Sequence, residues 1–91
     1  MDDLLTRFLP RFVESARMRI RRAVELFAAR DFHKLASELH TLAGEASVLG
    51  LTEIGAMARG AEQMARNATV DGCEEKLAQI ESSIEALHRR L

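Results

Sequence analysis

The stretch from residue 31 to residue 50 has the clearest alternation of apolar and polar positions in the chain. At ~100° per residue, five apolar side chains fall within about 40° of one line along a helix. These residues are Leu35, Leu39, Leu42, Ala46 and Leu49. Asp31 is placed to cap the start of this helix, and Gly50 supplies the left-handed residue that ends it. The pattern predicts an amphipathic helix of about 18 residues that packs on a core through its leucines.

Three other stretches repeat apolar residues every three or four positions. Residues 10–29 and 51–66 each predict one helix, and a last helix follows the turn at 67–70 and runs to about Arg90. The stripe of the last helix contains Cys73, Leu77, Ile80, Ile84, Leu87 and Leu91. Because Cys73 belongs to this stripe, we expect a buried and unreactive thiol.

The predicted helix boundaries follow from capping residues and from the one proline. Residues 2–9 predict a separate short helix, which Pro10 either interrupts or separates from the next helix. Its apolar side chains are expected to cover one end of the core, and they are Leu4, Leu5, Phe8 and Leu9. In the turn before the last helix, Asn67 is the expected C-cap, and Thr69 or Asp71 is the expected cap of the helix that follows.

Composition and loop length together predict the fold class. Strong helix formers dominate, and 47% of the residues are apolar although the chain has four Phe and neither Trp nor Tyr. Short connections between helices of similar length favour antiparallel neighbours. We therefore predict an all-α protein, an antiparallel up-down-up-down four-helix bundle with a short extra N-terminal helix. It is expected to form a single domain over residues 1–91.

Charge and cysteine content narrow the class of protein further. The net charge of −1 gives no general attraction to nucleic acid or to an anionic membrane. One cysteine rules out an internal disulfide framework. No apolar run approaches the ~18 residues that span a bilayer, and the N-terminus lacks a signal-peptide pattern. We expect a cytoplasmic protein.

Four arginines lie close together on the helix predicted at 10–29. They are Arg17, Arg19, Arg21 and Arg22. One interpretation is a basic patch for phosphate or nucleic acid. The other is a solvated face, on which the pairs Glu14–Arg17 and Arg21–Glu25 offset the charge. The solvated face is favoured, because four arginines spread around a helix do not form one stripe.

The face of helix 31–50 that points away from the core contains the candidate chemistry. His40 lies about 140° from the apolar line, so its imidazole is expected to face solvent or a partner. Gly44 follows one turn later on the same side, although a helical glycine costs ~1 kcal/mol relative to alanine. Its gain is a bare patch of backbone that another surface can approach closely. His33, Ser37 and Ser47 share this face.

The pattern H-x-L-x-G, followed by a glycine ten positions after the histidine, resembles a histidine-containing phosphotransfer (HPt) domain. The matching residues are His40, Leu42, Gly44 and Gly50, followed by Leu51, Ile54 and the pair Ala61-Glu62. With the flanking helices, the resemblance extends over nearly the whole chain. It implies a four-helix bundle whose exposed histidine relays a phosphoryl group between aspartates of receiver domains in two-component signalling.

The resemblance also implies roles for particular residues and partners. His40 would be the phosphoacceptor, and Gly44 would allow close approach beside it. The surface that binds the partner would include His33, Ser37, Thr41, Ala43 and Ser47. Receiver domains and a sensor histidine kinase are the expected partners, and Mg²⁺ would come from the receiver. The chain itself shows no cofactor or metal pattern and no Gly-rich nucleotide loop, so it is expected to be a phosphoryl carrier that does not phosphorylate itself from ATP.

One position departs from the family pattern. The family usually has lysine three residues after the histidine, whereas this chain has Ala43. Lys34 and Arg59 are the candidates for supplying the missing positive charge near the phosphoryl group. Glu45 is expected to point sideways from the histidine rather than towards it.

Two other classes of function remain as alternatives. The first is a non-catalytic helical adaptor or dimerisation module that keeps the HPt shape without phosphotransfer, which the missing lysine supports. The second is a nucleic-acid-binding bundle, which the net charge disfavours. We expect a monomer that binds neither nucleic acid nor membrane. The heptad-like spacing of the last helix leaves a dimer open.

Overall fold

The computed structural model describes the backbone of residues 2–91 and the side chains of residues 5–91. Over this range the chain forms four helices and no strand, which confirms the predicted all-α class. The helices are α1 (Asp2–Ala28), α2 (Phe32–Val48), α3 (Thr52–Arg66) and α4 (Cys73–Arg90). None of the four, as far as the structure describes them, is long and apolar enough to cross a membrane.

The core lies between the four helices, and each helix packs against two others. α2 contacts α1 and α3, and α4 also contacts α1 and α3. The largest fully buried side chains are Val13, Ile20, Leu35, Leu39, Leu42, Cys73, Leu77, Ile80 and Ile84. Burial raises the pKa of the Cys73 thiol, which fits the predicted unreactive cysteine. Leu91 does not join the predicted stripe and is exposed, because α4 ends one residue before it.

The separate helix predicted at residues 2–9 is not confirmed, since α1 runs without a break through Pro10. Proline removes the N–H that would bond to the carbonyl of Thr6, but its exposed ring meets solvent and not the core. Leu9 packs against the core and so holds the turns of α1 that precede Pro10 against the bundle. Leu5 and Phe8 remain exposed, and the side chain of Leu4 lies outside the described residues.

The ends of α2 match the predictions. The Asp31 carboxylate accepts a hydrogen bond from the Lys34 backbone N–H at 3.2 Å, which is an N-cap contact. Gly50 has a φ of +75°, the left-handed conformation that glycine adopts readily. The N–H of Leu51 then bonds to the carbonyl of Ala46 at 2.9 Å, so the chain turns tightly into α3.

Substituting Gly50 with alanine is expected to destabilise the domain by about 1–2 kcal/mol, the cost of a left-handed conformation for a residue with a Cβ. No described atom lies within 4 Å of the added Cβ, so the cost comes from the backbone alone. Urea denaturation monitored by helical circular dichroism measures the change. An alanine variant as stable as wild type would show that the turn relaxes without cost.

The connection between α3 and α4 differs from the prediction. Asn67 is the C-cap of α3 as expected, and Ala68 takes a left-handed φ of +52° directly after it. The N-cap of α4 is Gly72, with φ +85°, and the described residues provide no side-chain cap hydrogen bond there. The prediction of Thr69 or Asp71 as the N-cap of α4 is therefore wrong. The helix begins at Cys73, directly after the turn at Gly72, so neither residue occupies the N-cap position.

Three arginines of α1 form ion pairs with the neighbouring helices. Arg17 Nε lies 2.8 Å from Glu85 of α4, and Glu38 of α2 binds Arg19 at 3.0 Å and Arg22 at 3.1 Å. Neither pair predicted within α1 is among the ion pairs of the described residues, because Arg17 and Arg19 are partly buried at the helix seams, where they face acids on α4 and α2. This arrangement supports the interpretation in which the charge is offset.

Candidate functional site

His40 stands on the outer side of α2, in the middle of that 17-residue helix. Its side chain is 73% exposed, as the helical pattern predicted. Leu39, the residue before His40, is fully buried, and so is Leu42, two positions after His40. The imidazole is therefore displayed to solvent from a backbone that the core holds in place.

Glu62 of α3 makes the closest described contact with the imidazole. Its Oε2 lies 3.2 Å from His40 Nδ1, and its side chain is only 12% exposed. An ionised carboxylate can only accept, so in this contact Nδ1–H donates the hydrogen bond. The neutral ring then has its lone pair on Nε2, the nitrogen that points away from Glu62. The contact thus selects one tautomer and one ring orientation.

Arg66 completes this group from the next turn of α3. Its Nε donates to Glu62 Oε2 at 2.9 Å, and its Nη2 donates to the same oxygen. One carboxylate oxygen therefore joins an arginine and a histidine. The guanidinium compensates the charge of an acid that is largely shielded from water, because a buried carboxylate without a partner is strongly disfavoured.

Gly44 leaves the surface beside His40 bare. A Cβ added at Gly44 would meet no described atom within 4 Å. The other polar residues predicted for the binding surface are exposed, namely His33, Ser37, Thr41 and Ser47. The structure therefore places these residues on the side of α2 that a partner can reach.

Ala43 is the exception, because it is buried at 3% exposure and does not belong to the binding surface. It lies in the contact between α2 and α3, where small residues let the helices approach closely. A Cβ added at Gly55 of α3 would lie 3.7 Å from the carbonyl oxygen of Ala43. The prediction that placed Ala43 on the partner surface was wrong for this reason.

The two cations predicted to replace the missing lysine have other partners. Lys34 Nζ lies 3.9 Å from Asp31, at the start of α2. Arg59 Nη2 donates to Ser47 Oγ at 2.9 Å and links α3 to α2 about two turns beyond His40. The cation that the structure connects to His40 is Arg66, through Glu62.

Glu62 is one of the residues that match the HPt pattern, but neither Glu62 nor Arg66 was predicted to take part in the site, although a signal was present. Position 62 falls on the buried face of α3, whose other members are Ile54, Gly55, Ala58, Ala61 and Ala65. A charged residue in such a stripe needs a partner, and Arg66 is four residues further along the helix. The sequence could indicate this pair but not that His40, from another helix, shares its oxygen.

Glu45 points sideways from His40, as predicted, because its Oε2 lies 3.6 Å from Arg19 on α1. Among the described residues, no group of three or more His, Cys, Asp or Glu side chains is placed to hold a metal ion. A groove of about 670 Å³ between α1 and α2 is lined by Arg22 and Glu38 among others, and not by His40. The open face around His40 suits contact with a protein surface better than enclosure of a small molecule.

Comparison with known proteins gave one match. A protein-family model with the description Hpt domain matches residues 7–90. The match begins inside α1 and ends with the last residue of α4, so it includes the His40 face, most of α1 and the whole of the other three helices. Neither the curated proteins nor the solved structures gave a match.

Proposed function

The chain belongs to the Hpt domain family, whose members act in histidine phosphotransfer, and we propose that it carries a phosphoryl group on His40. The group would arrive from a sensor histidine kinase or a receiver aspartate and leave to the aspartate of a downstream receiver. One observation carries the proposal: a 73% exposed imidazole whose Nδ1 is bound by Glu62, leaving Nε2 directed outwards.

The reaction requires little more than a positioned imidazole. The Nε2 lone pair attacks the phosphorus of an aspartyl phosphate, the N–P bond forms, and the P–O bond to the carboxylate breaks. The carboxylate leaves with the electron pair, and the Nδ1 proton stays on the ring. The ring becomes cationic during the attack, so the Glu62 carboxylate stabilises the charge that develops. The reverse sequence passes the group to another aspartate.

Positive charge for the phosphoryl oxygens would come from both partners. On this chain Arg66 compensates the charge of Glu62 on the Nδ1 side of the ring, and Lys34 and Arg59 are the cations proposed for the phosphoryl oxygens. The chain has no cofactor of its own in this scheme. The receiver would contribute Mg²⁺, which neutralises phosphoryl oxygens during transfer. We therefore class the protein as a carrier and not as an enzyme.

Phosphate uptake tests the proposal directly. The purified protein would be mixed with receiver domains loaded from acetyl phosphate, with a sensor kinase and ATP, and with phosphoramidate as a small-molecule donor. An acid-labile, base-stable phosphoryl group is the expected product. If folded protein took phosphate from none of these donors, the carrier role would be rejected.

Substituting Gly44 with alanine tests two consequences of the missing side chain, namely a less stable helix and a closer approach of the partner. The variant is expected to be more stable by up to ~1 kcal/mol, because alanine favours a helix and its Cβ meets open space. Transfer from a receiver is expected to be slower, since the added methyl group stands where the partner approaches. Urea denaturation and receiver-to-protein transfer rates measure the two effects. A variant that is more stable and transfers at the wild-type rate would remove the close-approach role of Gly44.

We infer an antiparallel up-down-up-down arrangement, which contacts between neighbouring helices support. His40 contacts Glu62 and Ser47 contacts Arg59, so residue numbers rise on α2 as they fall on α3. The ion pairs between α1 and α2 support the same order for that pair, with Arg22 on Glu38 and Arg19 on Glu45. We also propose that residues 1–91 form one domain and that the protein is a cytoplasmic monomer. Its partners would be sensor kinases and receiver domains, and it would not bind nucleic acid.

A second candidate function is favoured by Ala43, which stands where the family usually has lysine. A domain without that charge would act as an adaptor that binds partners and transfers nothing. The two functions differ in their response to His40→Gln. An adaptor would keep both partner binding and signalling in that variant, whereas a carrier would keep binding and lose signalling.

A further inference from the structure

The outer face of α1 carries one exposed methionine among four exposed charged side chains. The charged residues are Arg11, Glu14, Arg21 and Glu25. At ~100° per residue, all four lie within about 60° of Met18 around the helix, on the side opposite the buried Ile20. Met18 itself is 68% exposed, a high fraction for a large apolar side chain. These five residues form one line along α1, the Met18 ridge.

Two grooves run along the sides of the Met18 ridge. The groove towards α2 has a volume of about 670 Å³, and the groove towards α4 has a volume of about 530 Å³. Arg11, Glu14, Met18 and Arg21 line both of them. A helix that lies along the ridge can therefore place an apolar side chain beside Met18 while its charged residues meet those of the ridge.

The four charges of the ridge form no ion pair with any described residue, whereas Arg17, Arg19 and Arg22 of the same helix pair with acids on α2 and α4. Surface charges without a partner are common, so only their order can indicate what binds there. From residue 11 to residue 25 the ridge runs positive, negative, Met18, positive, negative. In the reverse direction it runs negative, positive, Met18, negative, positive, which is the complement at every position.

An antiparallel second copy of the ridge therefore matches the first in charge. A two-fold axis at Met18 brings the two methionines together and sets Arg11 level with Glu25 of the second copy. Glu14 comes within one helical rise, ~1.5 Å, of the level of Arg21 of the second copy, and both lie on the same side of the ridge. Each pair occurs twice because of the symmetry. A parallel copy would instead place each charge opposite its own kind.

We propose that a second copy of this chain binds the Met18 ridge in antiparallel orientation, about a two-fold axis at Met18. The contact between the methionines contributes affinity, and the ion pairs set the register. A stable interface uses roughly 20–30 residues on each side, far more than the ridge offers. The dimer is therefore weak, with a dissociation constant on the order of 100 μM, and the monomer proposed above is the form at low concentration.

Pairing through α1 leaves His40 accessible in both copies. α1 packs against α2 and α4, whereas His40 lies at the contact of α2 with α3. The dimer thus presents two His40 faces at once, and a partner with two binding domains gains affinity from the second contact. The dimer itself does not depend on phosphotransfer, so its test is separate from that of the carrier function.

The test measures self-association of the whole chain by sedimentation equilibrium, from about 10 μM to about 1 mM, a range that brackets a weak contact. Glu14→Arg and Arg21→Glu each reverse one charge of the ridge at an exposed position, so neither removes a core side chain. Glu81→Arg makes the same charge change on the exposed side of α4 and serves as the matched control. Circular dichroism checks that each variant keeps the wild-type helix content.

Glu14→Arg and Arg21→Glu are each expected to weaken self-association about tenfold or more, because like charges then face each other at two symmetry-related places. Glu81→Arg is expected to associate as wild type does. Labelled Arg21→Glu is expected to bind Glu14→Arg as tightly as wild type binds itself. In that mixed pair the two reversed positions face each other, and so do the two native ones, so every contact again joins opposite charges.

Three results would overturn the dimer. Wild type that stays monomeric over the whole concentration range would show that the ridge does not pair. Glu81→Arg that weakens association as strongly as Glu14→Arg would point to net charge rather than to the ridge. Labelled Arg21→Glu that binds Glu14→Arg no more tightly than it binds Glu81→Arg would exclude the antiparallel register.

Discussion

Replacing His40 with glutamine is expected to abolish phosphate uptake from receivers, from a sensor kinase and from phosphoramidate. Glutamine has a similar size and can still donate an N–H to Glu62, but its amide nitrogen has no nucleophilic lone pair. The side chain is 73% exposed, so the free energy of unfolding should change by less than about 0.5 kcal/mol. Loss of uptake would then report chemistry and not folding. Radiolabel retained on the protein after base treatment measures it.

His88→Gln is the matched control for this substitution. His88 is exposed near the end of α4 and does not belong to the predicted partner surface, so a general requirement for surface histidines would affect both variants. Uptake by the His88 variant is expected to equal that of wild type. A label in His40→Gln as strong as in wild type would place the phosphoryl group on another residue and contradict the proposed site.

Substituting Glu62 with alanine is expected to slow phosphotransfer by roughly 10- to 100-fold, the loss that follows when a metal-binding histidine loses the partner that orients its ring. Two effects contribute to this loss. The imidazole is no longer held as the tautomer with its lone pair on Nε2, and the charge that develops on the ring during attack loses its carboxylate partner. The rate of transfer from a receiver, measured by rapid quench, reports the effect.

Glu62→Gln separates these two contributions. Its amide oxygen can still accept from Nδ1–H, so ring orientation is kept while the negative charge is removed. A rate between those of wild type and Glu62→Ala is expected. Glu53, an acid in the first turn of the same helix, is exposed, and Glu53→Ala is expected to transfer at the wild-type rate. Rates within twofold of wild type in both Glu62 variants would show that the contact has no part in transfer.

Several features of this protein could be predicted from the order of residues along one helix. The leucine stripe of α2, the cap at Asp31, the left-handed Gly50 and the exposure of His40 all depend on residues within a few turns of one another. Helical geometry converts such local spacing into position, so the sequence alone determined which side of α2 faces solvent. The identification of the family also followed from spacing within this stretch and just after it.

Other features were decided only by packing between helices. Ala43 lies within the same stretch as His40, yet the close approach of α3 buries it. Leu9 packs against the core, and the turns before Pro10 continue as part of α1 although the proline predicted a break.

The contact of His40 with Glu62 shows most clearly what the tertiary structure adds. These residues are 22 positions apart, on different helices, and Arg66 binds the same carboxylate oxygen as the imidazole. Helical period fixes the face on which each residue lies, but not the depth and rotation at which two helices pack. The sequence therefore determined which histidine is presented, and the packing of α3 on α2 determined which acid and which arginine accompany it.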